Sequence, residues 1–287
     1  VKITSERFIP IHHSMRFPAS ILALLLGIVS LRADDVPVAP IAPELSPGGE
    51  PRFHLRSEKL QLCIDPIAGN LLSLSESLSG EMLPRPVSLL PPGLELPPNS
   101  TPWESRGWKT SDGAQVIMLH RRLAAPLSYA LSMLVNLSPE GNRLSITTRV
   151  TALAASPERP LPLGFAWPLT DNEALWTHSL ERDGCAGWAQ HAEPTTSRIA
   201  AFARQYEGHL LLLHWRQELE DGPVLDSGFL RIAPADGESS ALLLSSAPSL
   251  PPQGWTLVSE LRIDLLPLNE TDTPCKRLES LQPADGG

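Results

Sequence analysis

Cysteine is scarce in this chain, and the arrangement of the few present excludes several chemistries. There are three, Cys63, Cys185 and Cys275, with no Cys-x-x-Cys and no Cys/His spacing suited to zinc. No metal and no cofactor is expected. Glycine-rich phosphate loops are missing as well: neither G-x-G-x-x-G nor a Walker sequence occurs, nor do H-E-x-x-H or G-x-S-x-G. The usual nucleotide, zinc-peptidase and serine-hydrolase readings fall with them. Positive charge is in deficit, with 23 Lys plus Arg against 32 Asp plus Glu and a net charge of −9. A phosphate-tracking nucleic-acid binder needs a basic stripe, so nucleic acid is excluded as a partner. Helix-period stretches of any length are lacking beyond the N-terminal region, and 30 prolines argue against an all-helical fold, because proline removes a backbone donor and breaks helix interiors.

Long apolar runs are also wanting. The run ILALLLGIVSL, Ile21 to Leu31, has 11 residues, short of the ~20 that a membrane-crossing helix needs. Arg16 precedes it, and Ala33 offers a cleavage position before Asp34 and Asp35. Residues 1–33 therefore read as an export signal, with Met15 as an alternative start, and a periplasmic or extracellular mature chain is expected. No cysteine follows the run to carry a lipid. Export permits disulfides, and Cys185 and Cys275 lie in loop-like sequence where they could pair, whereas Cys63, in LQLCIDP, reads as a small buried hydrophobe. Asn99, Asn136 and Asn269 begin N-x-S/T triplets, which matter only where the host glycosylates.

What is present is a strand pattern. Residues 34–51 (DDVPVAPIAPELSPGGEP) are Pro-rich without periodicity and read as an extended linker. From Phe53 the period is two: Leu60, Leu62 and Ile64 share a face, DPIAGN supplies a turn and LLSLSES begins the next strand. Residues 79–112, rich in Pro and Gly, read as a long ordered loop over one end of the domain. Strands resume at 115–122, 127–136 and 143–153. In the last, Leu144, Ile146, Thr148, Val150 and Ala152 oppose Arg143, Ser145, Thr147, Arg149 and Thr151. Further strands are expected at 161–167, 197–203, 208–215, 228–233, 240–246 and 255–266. Many short strands separated by turns predict an all-β architecture, a large antiparallel β-supersandwich over residues 52–270 with a tail at 271–287.

Aromatic composition is lopsided, with seven tryptophans and two tyrosines. Trp215, beside LLLLH, reads as core. Trp103, Trp108, Trp167 and Trp188 lie in or beside loops, where an indole face could stack on a sugar ring. Of the histidines, His54, His120, His178, His191, His209 and His214 read as strand residues without a shared metal. Alternation in WTLVSELRIDLL groups Glu260 with Val258, Arg262 and Asp264 on a polar face, either solvated or lining a sugar site.

The order of LQLCIDPIAGNLLSLSESLSG, LSYALSMLVNLSPEGNRLSITTRVTALAASPERPLPLGFAWPL and PPQGWTLVSELRIDLLP resembles the galactose mutarotase-like superfamily of β-sandwiches, over roughly residues 53–267. The resemblance implies a sugar lying on a concave sheet face between a histidine acid and a carboxylate base. The family histidine stands in a G-x-x-H-P-Y-F setting. Here the matching stretch is GFAWPLT, with Trp167 in the histidine position and Leu169 in an aromatic one, and a second family histidine has no counterpart in TPWESRGWKT. Only Glu260 maps onto the family carboxylate. Indole cannot exchange a proton near neutral pH, so the resemblance implies a divergent, non-catalytic member, a carbohydrate-binding or accessory protein with Trp167, Trp103, Trp108 and Glu260 as binding residues. The alternatives are an epimerase-like enzyme pairing Glu260, the one weak catalytic candidate, with Asp171 or Glu173, and a structural envelope protein.

Overall fold

A computed structural model describes residues 37–76, 80–81, 83, 86–89, 103–123, 128–153, 166–168, 173–178, 188–190, 195–197, 199–204, 209–220, 228–235, 238–246, 254 and 256–267. All lie in the unit Pro37–Gly287. Every regular element among them is a strand. In chain order these are β1 (Pro37–Ile41), β2 (Glu44–Leu45), β3 (Pro51–Arg56), β4 (Leu60–Asp65), β5 (Asn70–Glu76), β6 (Gly80–Glu81), β7 (Val87–Ser88), β8 (Glu104–Thr110), β9 (Gln115–Leu123) and β10 (Tyr129–Leu137). The second half continues with β11 (Arg143–Ala152), β12 (Ala166–Pro168), β13 (Glu173–His178), β14 (Trp188–Gln190), β15 (Thr195–Ser197), β16 (Ile199–Arg204), β17 (His209–Leu219), β18 (Gly228–Ala235), β19 (Glu238–Ser246) and β20 (Thr256–Pro267).

One ten-stranded antiparallel sheet, ordered β1-β8-β9-β10-β11-β20-β17-β16-β13-β14, forms the first layer. The second layer is split between a sheet of β2 to β7 and a four-stranded sheet ordered β12-β19-β18-β15, with β12 lying against β7. This is the expected all-β sandwich. The core is where period-two patterns from both layers meet. Phe53, Leu55, Leu62, Ile64 and Leu74 from the small sheet pack with Ile117, Val135, Ile146 and Leu261 from the large one. Strand β11 shows the cause most plainly. Leu144, Ile146, Val150 and Ala152 are buried on the inner face, while Ser145, Thr147 and Arg149 stay half-exposed on the outer.

The turn expected at DPIAGN is built by its own side chain. Asp65 Oδ1 accepts from the N–H groups of Ile67 at 2.8 Å and Ala68 at 3.1 Å, Arg52 Nη1 holds Oδ2 at 2.8 Å, and Gly69 takes φ +70°.

Strands β6, β7, β13 and β14 stand where the sequence predicted none, and two longer segments depart from the expectation for reasons that are plain. Within the expected linker 34–51, β1 pairs with β8 and β2 with β3. An extended Pro-rich segment can join a sheet at its edge, where missing N–H donors cost no ladder bond, and β1 is the edge strand of the large sheet. Within the expected loop 79–112, Glu104–Thr110 is strand β8, lying between β1 and β9. Its pattern is obscured by Gly107, whose lack of a side chain is required. A Cβ there would sit 2.7 Å from both Ile117 Cδ1 and the Ile41 carbonyl oxygen. The signal-like segment 1–33 and the cysteines Cys185 and Cys275 lie outside the described residues.

Candidate functional site

The outer face of the ten-stranded sheet, turned away from the core, collects most of the chemistry. Register pairs run across it in rows. Trp108 on β8 stands opposite Val116 on β9, Val116 opposite Asn136 on β10, Asn136 opposite Ser145 on β11, and Ser145 opposite Arg262 on β20. At ~4.8 Å per strand, this row spans about 19 Å. The next row holds Arg106, Met118, Leu134, Thr147 and Glu260. A third holds Glu104, His120, Ser132, Arg149 and Val258.

Glu260 is half-buried, opposite Thr147 on one side and Arg216 on the other. It forms no ion pair among the described residues. Trp108 and Asn136 both have polar atoms that are buried yet unpaired, the indole Nε1 and the amide Oδ1. A buried N–H donor and a buried carbonyl acceptor in one row, neither satisfied by protein, are unusual, because unpaired buried polar groups cost free energy. Asn136 also begins an N-x-S/T triplet, but it is the penultimate residue of β10, paired to both β9 and β11, with its amide oxygen buried.

His120 stands on the same face as Glu260. Burial lowers its pKa, the Glu104 carboxylate opposes that shift, and Arg122 reinforces it, so the ring is held toward its neutral form. It lies three strands from Glu260, about 14 Å across the sheet.

The sequence-predicted residues are thus divided. Trp108 and Glu260 share the outer face. Trp103 does not: it is 7% exposed and belongs to the core cluster, against Gly69 and under the Arg121 guanidinium at 5.6 Å. Just outside β8, it leaves the surface to cover the DPIAGN turn, where Gly69 leaves room for an indole, so it offers no face for a sugar. Trp167 lies on β12, opposite Leu242, in the four-stranded sheet. That strand belongs to the second layer, so its backbone is not beside Glu260. Glu173 is also remote from Glu260. It pairs with Arg204, Arg204 with His209 and His209 with Pro267. Pro267 lies seven positions beyond Glu260 on β20, about 23 Å along the strand, and β13 lies three strands across from β20. Asp171 falls outside the described residues. Cys63 is half-buried rather than fully buried, because β4 turns it to the outer side of the small sheet, with Sγ 4.0 Å from His54 Nε2. Burial pushes its thiol pKa up.

The sequence reading grouped Arg262 with Glu260 but did not name Asn136, His120 or the arginines of this face as binding residues. Alternation within β9, β10 and β20 places each of them, but only pairing shows that those strands present the same side. Among the described residues, no three His, Cys, Asp or Glu come together as a metal set, and no helix is long and apolar enough to cross a membrane.

No protein-family model matches this chain, and no curated protein matches it by sequence. Solved structures do resemble it. The Slr1438 protein from Synechocystis sp. PCC 6803 aligns with a TM-score of 0.50 at 13% identity, covering 81% of this chain and 99% of that one. A galactose mutarotase-like protein from Clostridium acetobutylicum aligns with a TM-score of 0.50 at 11% identity, covering 80% of this chain and 99% of that one. The fold is that of a galactose mutarotase-like β-sandwich.

Proposed function

We propose that this chain is an exported, non-catalytic carbohydrate-binding protein whose ligand lies across the outer face of the ten-stranded sheet. The observation that carries the reading is the row from Trp108 to Asn136, where an indole N–H and an amide oxygen are buried without a protein partner. A pyranose supplies an apolar face for the half-buried Trp108 indole and hydroxyls for the polar side chains of the same face, so one ligand class matches the row. Glu260 and Thr147, in the adjacent row, add an acceptor and a hydroxyl. Export rests on the run Ile21 to Leu31 with Arg16 before it. The absence of turnover rests on Trp167, which stands where the resemblance implies a histidine.

Calorimetric titration with a panel of oligosaccharides tests the binding. Saturable binding weakened at least tenfold in Trp108→Ala is expected. Binding unchanged in that variant, or none to any sugar, overturns the reading.

One observation favours a second reading. Glu260 is a carboxylate on this face without an ion pair among the described residues, so an enzyme in which it serves as the base is the alternative. Polarimetry of freshly dissolved glucose and galactose separates the two. Mutarotation at the buffer rate fits the binding protein. A catalysed rate abolished by Glu260→Gln establishes the enzyme.

A further inference from the structure

The whole protein carries a net charge of −9, yet the outer face of its large sheet holds a cluster of arginines. Arg143 on β11 stands directly opposite Asp264 on β20, and Arg262 lies two positions earlier on β20, on the same face. The Arg143 Nε donates to Asp264 Oδ1 at 2.5 Å, and the Arg262 Nε donates to Oδ2 at 2.9 Å. One carboxylate thus holds two guanidiniums, one from each side, leaving one positive charge in excess among the three. Asp264 itself is nearly buried beneath them, whereas the side chains of Arg143 and Arg262 are 53% and 38% exposed.

Only Nε of each arginine is engaged, and the terminal Nη groups have no protein partner among the described residues. A guanidinium offers five N–H donors in a planar fork matched to a carboxylate or an oxyanion ester. Two forks fixed in place by a shared buried anchor are prepared for such a group without further loss of side-chain freedom. Elsewhere on the face, Arg106 and Arg122 form no ion pair among the described residues. Glu104 and Glu260 share the face, so the positive charge is local to Arg143 and Arg262, and a positive patch of that kind on an anionic protein draws an anionic group to it.

The pair also lies at a telling place. Arg262 lies in the same row as Trp108 and Asn136, so one extended ligand can meet the indole and, about 19 Å away, the guanidiniums. We propose that Arg143 and Arg262, anchored by Asp264, form an anion subsite, and that the ligand of this face is an acidic saccharide, one whose sugars bear carboxylate or sulfate-ester groups. This rests on the carbohydrate reading of the face.

The test is titration of the full chain with three oligosaccharides of equal length: a neutral galactan, a sulfated galactan and an oligogalacturonate. At least one acidic oligomer should bind tenfold or more tightly than the neutral one. That advantage should shrink as salt rises from 50 to about 500 mM. It should also be lost in Arg143→Gln and in Arg262→Gln. Arg143→Gln removes the more exposed member and spares the fold; circular dichroism of both variants checks this. Which acidic oligomer binds distinguishes carboxylate from sulfate recognition. Equal binding of neutral and acidic oligomers, weakened by Trp108→Ala, overturns the anion subsite and leaves the carbohydrate face standing. Acidic binding lost in the arginine variants but indifferent to Trp108→Ala and matched by inorganic sulfate alone keeps the anion site and overturns its saccharide ligand. No binding by any oligomer overturns both.

Discussion

Thr148 and Ser259 face each other across β11 and β20 on the inner side of the large sheet, in the midst of the hydrophobic core. They are 4% and 1% exposed, and neither hydroxyl has a hydrogen-bond partner. On β10 the neighbour of Thr148 is Met133, which cannot donate to it. A hydroxyl taken out of water and left unpaired costs about 1–3 kcal/mol. Thr148→Val replaces it with a methyl of nearly the same size, so packing is kept while the penalty disappears. The variant should be more stable by about 1–2 kcal/mol. With a urea m-value of roughly 3 kcal/mol/M, the unfolding midpoint should rise by about 0.3–0.7 M at unchanged slope. Equilibrium urea unfolding followed by tryptophan fluorescence measures it, with Ser259→Ala and the double variant alongside. If the two hydroxyls are independent orphans, each substitution stabilises and the double exceeds either. A midpoint that falls in Thr148→Val and recovers in the double variant refutes the reasoning, because it would show a buried water shared by the pair.

Three further outcomes follow from positions already described. Val150 is 1% exposed between Leu131 and Leu257, while Arg149 points outward to Glu220 at 2.9 Å; Val150→Asp should leave little folded protein, whereas Arg149→Asp should cost about 1 kcal/mol by chemical denaturation. Gly107→Ala should destabilise by about 1–3 kcal/mol, since its new methyl meets the fixed Ile41 carbonyl at 2.7 Å; an unchanged melting temperature would contradict the close approach of β1. Burial pushes the Tyr129 phenol up to about 12. The folded state therefore keeps its proton longer than the unfolded one, whose tyrosine titrates near 10. The stability contributed by this group is complete below about pH 10 and declines as the pH rises toward 12. Denaturation midpoints against pH, in wild type and Tyr129→Phe, should show that decline only in the wild type.

The sequence by itself determined the class of the fold and most of its strands. Alternation in RLSITTRVTA is enough to assign β11 and its two faces, and β9, β10 and β20 are legible in the same way, because a half-buried strand writes its burial into every second residue, whereas β17, β18 and β19 are read from short apolar runs bounded by turns. The segments it concealed are those in which a local feature overrides period two. Prolines make β1 look like a linker, and the glycine that lets β1 and β9 approach β8 breaks the pattern of β8 itself. The candidate site was legible only in part. Glu260 and Trp108 could be named because each is a residue type suited to a sugar, but their shared face could not, since they lie on strands separated by 152 positions in the sequence and joined only through β9, β10 and β11. Trp103 illustrates the converse: its composition and loop context are those of a binding residue, and only Gly69 and Arg121, distant in sequence, draw it into the core. Period two reports which side of its own strand a residue occupies. Which strands stand side by side, and therefore which arginines meet Asp264 and which unpaired polar atoms share a row with Trp108, is fixed by long-range pairing, and that was decided by the tertiary structure alone.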